Sequence, residues 1–179
     1  MEVKELQPIL EAIIYAADDP VRPEQLKEIL PAESFDKIET ALQHLMQDFN
    51  SRSGGMIIRE IAGGYRMTTR PEYHEHIHAY LRSKPGAKLS MPALETLAVI
   101  AYRQPVTLAE ILAVRGKKSS TSLKTLLEKK LVSIAGRKQV VGRPILYATS
   151  REFLIHFGLK DLSELPTLEE FAEMAGGQL

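Results

Sequence analysis

Apolar residues recur three and four positions apart at the start of the chain. Leu6, Ile9, Leu10, Ile13, Ile14 and Ala17 fall on one side of a helix. Asp18-Asp19-Pro20 ends it. Pro23 opens a short second helix through Leu26, Ile29 and Leu30. Ser34 is placed to cap a third, with Phe35, Ile38, Leu42, Leu45 and Phe49 inward. Ser53-Gly54-Gly55 breaks the chain. Met56–Ile61 and Tyr65–Thr69 then read as strands of a hairpin about Ala62-Gly63-Gly64. A helix from Pro71 to Leu81 closes the half.

The same order returns after Ser83–Ser90, a small, polar segment with Pro and Gly that reads as a linker. Pro92–Tyr102 is predicted helical, with Leu94, Leu97, Ala98 and Ala101 on its inner side. Gln104-Pro105 ends it. Thr107 and Glu110 have the spacing of a capping box and start a short helix through Ile111 and Leu112. Arg115-Gly116 turns the chain. Ser119–Lys130 is predicted as a third helix, with Leu123, Leu126 and Leu127 inward. Leu131–Ala135 and Ile145–Thr149 are strands flanking GRKQVVGRP, and Ser150 caps a helix ending near Phe157.

The two halves also agree residue by residue. Ala16, Pro20 and Val21 reappear as Ala101, Pro105 and Val106, and Thr69, Glu72 and Tyr73 as Thr149, Glu152 and Phe153. Helix, short helix, helix, two-stranded wing, helix is a winged helix-turn-helix. The expected fold is mostly α with small β wings, an α+β chain of two tandem winged helix-turn-helix domains. They occupy residues 1–82 and 91–160, with a linker at 83–90 and a C-terminal tail at 161–179. Leu159, Leu162 and Leu165 are expected to pack back on the second module. Thr167 with Glu170 is expected to cap a last short helix. Each module is small, with little core to spare, which favours association.

Composition adds limits. The 179 residues are 44% hydrophobic and contain no cysteine, so disulfides and thiolate metal sites are excluded. The N-terminal apolar stretch carries acids and lacks a signal-peptide pattern. No apolar run reaches the roughly 20 residues of a membrane helix. The chain reads as soluble and cytoplasmic, with no membrane partner. Its zero net charge hides an asymmetry. Residues 1–82 hold 9 basic and 14 acidic side chains, and residues 83–179 hold 14 and 9. Arg115–Arg143 holds 9 basic residues against the single acid Glu128. Such a local field steers anionic partners, although a charge run is more often a solvated face.

No catalytic constellation is evident. Gly54-Gly55, Gly63-Gly64 and Gly142 lack the strand-to-helix context of a phosphate loop and read as turns. His74 and His78 share a helix face, but no third ligand accompanies them, so a solvated face is expected rather than a metal site. Asp18-Asp19 and Glu169-Glu170 lie at helix ends, where acids serve turns and helix dipoles. Ser119–Ser122 has no base beside it in sequence and serves to start a helix. No cofactor and no small-molecule substrate are called for.

ALETLAVIAYRQPVT at Ala93–Thr107, Arg115-Gly116, LKTLLEKKLV at Leu123–Val132, GRK at 136–138, GRPILYAT at 142–149 and EFLIHFGLKDLSELPTLEEF at 152–171 occur in order. Together they resemble segregation and condensation protein B (ScpB), the accessory subunit of the bacterial SMC condensin complex. The first half resembles that family by pattern. The resemblance implies two winged-helix modules, homodimerisation, usually through the N-terminal module, and binding to the kleisin ScpA, which links the heads of the SMC ATPase. It implies a nucleoid-associated role in chromosome condensation and segregation, without catalysis or cofactor. Lys117-Lys118 depart from the family pattern of an apolar then a small polar residue. Lys130 stands where a glycine often closes the third helix.

Two uses of the basic second half compete. In a DNA-reading winged helix the third helix enters the major groove and the wing touches phosphate. Lys117, Lys118, Lys124, Arg137 and Lys138, with Arg143, could supply that surface. The helix offers no Asn, Gln or Arg for bidentate base contacts, so contact with DNA would be non-specific. A dimeric winged-helix transcription regulator is therefore the second reading. In the first, an amphipathic kleisin segment docks on exposed members of Val140, Val141, Pro144 and Ile145. Tyr147 is read as core. Arg143, between Gly142 and Pro144, either closes the wing or pairs with a partner carboxylate.

Overall fold

The computed structural model describes residues 1–82, 89–116, 119–167 and 170. The chain divides into two compact units, Met1–Pro85 with Gly158–Leu179, and Gly86–Phe157.

In the first unit α1 (Val3–Ala16) buries Leu6, Leu10 and Ile14. It packs on α3 (Phe35–Ser51), which buries Ile38, Ala41, Leu42 and Leu45. Between them α2 (Pro23–Ile29) adds Leu26, and the core continues to Ile58 of the wing. The proline at the first position of α2 and the Ser34 hydroxyl, which accepts from Lys37 N at 3.4 Å, start these helices as the sequence predicts. Ile29, expected inward, is exposed, because Leu26 alone faces the core from this short helix. The wing pairs β1 (Met56–Ile61) with β2 (Gly64–Thr69) around a two-residue turn, Ala62-Gly63, with both residues at positive φ. Val21 bridges to Tyr65. A 3-10 turn at Pro71–Tyr73 leads into α4 (His74–Arg82).

The second unit has α5 (Met91–Arg103), α6 (Leu108–Arg115) and α7 (Ser119–Glu128). A sheet follows with strand order β3 (Val106–Thr107), β5 (Ile145–Thr149), β4 (Val132–Arg137). α8 (Arg151–Phe157) closes it, with the Ser150 hydroxyl accepting from Phe153 N at 3.2 Å. Val106 pairs with Tyr147, as Val21 does with Tyr65 in the first unit. The repeat thus extends to how the residue after each Xaa-Pro joins the wing. The two-residue strand β3 is too short for alternation to reveal it.

Four expectations change here. Leu94 and Ala98 face solvent, and the inner side of α5 is Ala93, Thr96, Leu97, Ile100 and Ala101. Thr96 is tolerated inside because its hydroxyl donates to Pro92 O at 2.8 Å. The third helix stops at Glu128 rather than Lys130, and β4 runs past Ala135 to Arg137. The segment from Gly158 belongs with the first unit, not the second. Leu159 O accepts from Ala62 N at 2.9 Å, and Lys160 Nζ lies 3.0 Å from Glu60, so the first wing captures the start of the tail. Most of the segment expected as a linker lies outside the described residues; Ser90 caps α5. Thr167 and Glu170 make the expected reciprocal bonds: Thr167 N donates to the Glu170 carboxylate at 2.7 Å, and Glu170 N to the Thr167 hydroxyl at 3.2 Å.

Candidate functional site

The wing of the second unit is built around one ion pair. Thr107 caps α6, with Glu110 N donating to its hydroxyl at 3.3 Å. The Glu110 carboxylate accepts in return from Thr107 N at 2.8 Å and from the hydroxyl at 2.7 Å. Its other oxygen takes Lys138 Nζ from the wing at 2.6 Å. The Lys138 ammonium first, then the Thr107 amide and hydroxyl, hold the Glu110 carboxyl down at about 2, from the ordinary 4.5. Lys138 therefore braces the wing against the helix-turn-helix.

Beyond Lys138 the wing tip closes by backbone bonds. Arg143 N donates to Val140 O, and Lys138 N to Pro144 O, each at 2.9 Å. Arg143 sits at φ +40° after Gly142 at +85°. Arg137 Nη1 donates to Arg143 O at 3.1 Å. The Arg143 backbone thus serves the turn, while its side chain faces solvent. Val140 is 50% exposed and Val141 fully so. Pro144, Ile145 and Tyr147 are half-buried, Tyr147 lying between Val106 and Ile134 in the sheet.

The third helix α7 begins with the Ser119 hydroxyl donating to Gly116 O at 2.9 Å. Leu123 and Leu126 are buried. Its exposed positions are Ser120, Thr121, Lys124 and Glu128, with Lys124 3.9 Å from Glu128. Lys117 and Lys118 lie outside the described residues. The structure therefore gathers Arg137, Val140, Val141 and Arg143 at one wing tip. It pairs Lys138 with Glu110 and leaves Lys124 on a separate element.

Two surfaces escaped the sequence reading. Pro8, Ala12, Tyr15, Phe49, Met56 and Met67 line an open apolar groove of about 390 Å³ in the first unit, with Tyr15 74% exposed. The stripe Leu6–Leu10–Ile14 hides it, since Pro8, Ala12 and Tyr15 lie off that stripe, at helical spacings of four and three. On α5, Met91, Leu94 and Ala98 form a second outward stripe. The rings of His74 and His78 stack 5.7 Å apart, and no group of three metal-ligating side chains exists among the described residues. No helix there is long and apolar enough to cross a membrane.

The family model of segregation and condensation complex subunit ScpB matches residues 8–168. Segregation and condensation protein B of Syntrophotalea carbinolica is 47% identical over 174 residues, 97% of this chain and 87% of that protein. The protein of the same name from Symbiobacterium thermophilum is 48% identical over 163 residues, 90% of this chain and 73% of the other. The crystal structure of ScpB from Mycobacterium tuberculosis is 33% identical, covering 89% of this chain and 98% of that one, with a TM-score of 0.42.

Proposed function

The chain belongs to the family of segregation and condensation complex subunit ScpB, and from that premise we propose that it is a non-catalytic, nucleoid-associated subunit of the bacterial SMC–kleisin complex. It acts in the cytoplasm as a homodimer, formed through the first module, that binds the kleisin ScpA and through it the SMC ATPase. One observation carries the docking role. The exposed face of α7 holds Ser120, Thr121, Lys124 and Glu128, with no Asn, Gln or Arg for the bidentate base contacts that read sequence most strongly, while the wing tip offers Val140 and Val141 to solvent beside Arg143. A helix-turn-helix that presents an apolar wing tip and lacks the Asn, Gln and Arg of bidentate base readout suits a protein partner. Val140, Val141, Arg143, Pro144 and Ile145 are the residues assigned to that contact.

The exposed cations Lys124, Arg137 and Arg143 favour a second reading, a dimeric winged-helix regulator that grips DNA. Size-exclusion chromatography with light scattering separates the two. The protein is mixed at physiological salt with its kleisin and a labelled duplex. Co-elution of the kleisin with a dimer, the duplex running free, is expected. A duplex that co-elutes while the kleisin does not would replace the docking role with the regulator. Arg143→Glu should then weaken the kleisin complex in calorimetry with dimerisation unchanged; equal affinity removes Arg143 from the contact.

A further inference from the structure

The two wings treat their outer strands differently. In the first unit β1 pairs with β2, and its other edge is met by Asn50. The Asn50 amide donates to Ile58 O at 2.9 Å and accepts from Ile58 N at 2.8 Å. One side chain thus satisfies both backbone groups at the middle of that edge.

In the second unit β4 is the edge strand, paired with β5 alone. Ser150 N donates to Leu131 O at one end, and Lys138 N to Pro144 O at the other. Antiparallel alternation between those anchors, with one extra residue at Ala135, turns the N–H and C=O of Ile134 and Arg137 away from β5. No backbone or side-chain partner meets them among the described residues. Ser133 through Arg137 are exposed, Ile134 by 62%. Ser133–Gly136 carries neither charge nor proline, so the bulge at Ala135 is the one guard of this edge within that segment. Lys129 and Lys130 lie just before the strand, and Arg137 and Arg143 at its far end. None of the four is in an ion pair among the described residues.

We infer that the open edge of β4 docks an extended, acid-bearing peptide segment by strand addition, Ile134 and Arg137 supplying the ladder and the flanking cations meeting its acids. This rests on the protein-docking role above and specifies the form of the partner segment, a strand rather than a helix. A nucleic acid fits the edge less well. The outward carbonyls of Ile134 and Arg137 need donors that a phosphodiester lacks, Ile134, Val140 and Val141 are apolar, and Lys138 is already bound to Glu110.

The test uses Ile134→Pro in the full-length protein. The Ile134 N–H points outward, so proline removes no bond to β5 but deletes the ladder donor. Ile134→Thr keeps the donor and serves as control. Two labelled probes are titrated by fluorescence anisotropy: the kleisin, and the peptide EDVTVTVTDE. Both should bind the wild type and Ile134→Thr, and Ile134→Pro should weaken each by about tenfold. KKVTVTVTKK should bind weakly, and the amides of Ile134 and Arg137 should gain exchange protection in the peptide complex. Failure of the two amides to gain protection overturns the inference, whether or not the proline variant folds. Displacement of the bound peptide by a DNA duplex overturns it as well. So does loss of the dimer in Ile134→Pro, which would mean that the edge pairs two copies. Kleisin binding that is indifferent to Ile134→Pro, with no peptide binding, sinks the strand site and leaves the docking role standing. Peptide binding with these sensitivities, but no kleisin binding, does the reverse.

Discussion

Replacing Lys130 by glycine should stabilise the second unit relative to replacing it by alanine. The end of α7 has the bonding of a Schellman motif. Leu131 N donates to Leu126 O and Lys130 N to Leu127 O, each at 3.0 Å, and the motif's apolar contact falls on the buried pair Leu126 and Leu131. Lys130 occupies its left-handed position, at φ +58°. A side chain there costs roughly 1–2 kcal/mol, which glycine avoids. Glycine gives back about 0.5–1 kcal/mol as extra freedom of the unfolded chain. Loss of the lysine charge at the helix C-terminus is common to both variants and cancels. The expected difference is about 0.5–1 kcal/mol in favour of Lys130→Gly, roughly a two- to fivefold slowing of exchange through global opening. Native-state hydrogen exchange at the amides of Ile100 and Leu126, both fully buried, reads this unit within the intact chain. Equal exchange in the glycine and alanine variants would refute the assignment of strain to this position.

Three further outcomes follow from contacts of the same kind. Asn50→Leu removes both partners of the Ile58 backbone and should cost about 1–3 kcal/mol in the first unit, read by urea denaturation; a loss within error would mean that water replaces Asn50 at no cost. Gly64→Ala places a Cβ 2.8 Å from Pro20 O and 3.0 Å from Val21 C, both backbone. It should break the Val21–Tyr65 bridge and destabilise by about 1–3 kcal/mol, with the exchange rate of the Val21 amide as the readout. Glu110 titrates at about 2 in the folded protein, below its ordinary value of 4.5. Its depressed value makes its contribution to stability full above the unfolded pKa and lost as pH falls from there through about 2. A carboxyl ¹³C titration should show that low midpoint, and Lys138→Met should raise it; an unmoved midpoint would remove Lys138 as the main cause.

Much of the architecture was legible because it is encoded locally. The stripe of Leu6, Leu10 and Ile14, the Ser34 and Ser150 caps, the Thr107–Glu110 box and the hairpin at Ala62-Gly63 each depend on residues a few positions apart. The repeat was visible for the same reason: each module spells the same succession of local signals. Lys130 was marked as a helix-closing position only by the family resemblance, and its left-handed φ was not legible. The resemblance to the ScpB family rests on sequence motifs between Ala93 and Phe171 and their order, and the family match over residues 8–168 bears it out.

What escaped was decided by contacts between distant segments. Lys138 was read as a cation for nucleic acid; its partner Glu110 is 28 residues away and meets it only when β4 turns at the wing. Leu94 and Ala98 looked inward because an apolar helix offers more than one stripe, and packing on α7 selects Thr96 and Ile100 instead. The tail adjoins the second module in sequence but bonds to the first wing. The two wings carry similar strand patterns, yet one has its edge closed by Asn50 and the other stands open at Ile134. Alternation determines which residues share a sheet face, but says nothing of what lies beyond the edge. Local spacing thus determined the elements and their repetition. Only the tertiary structure decided which charges are taken up in ion pairs and which backbone groups are left facing solvent, because those depend on pairs of residues that meet only after folding.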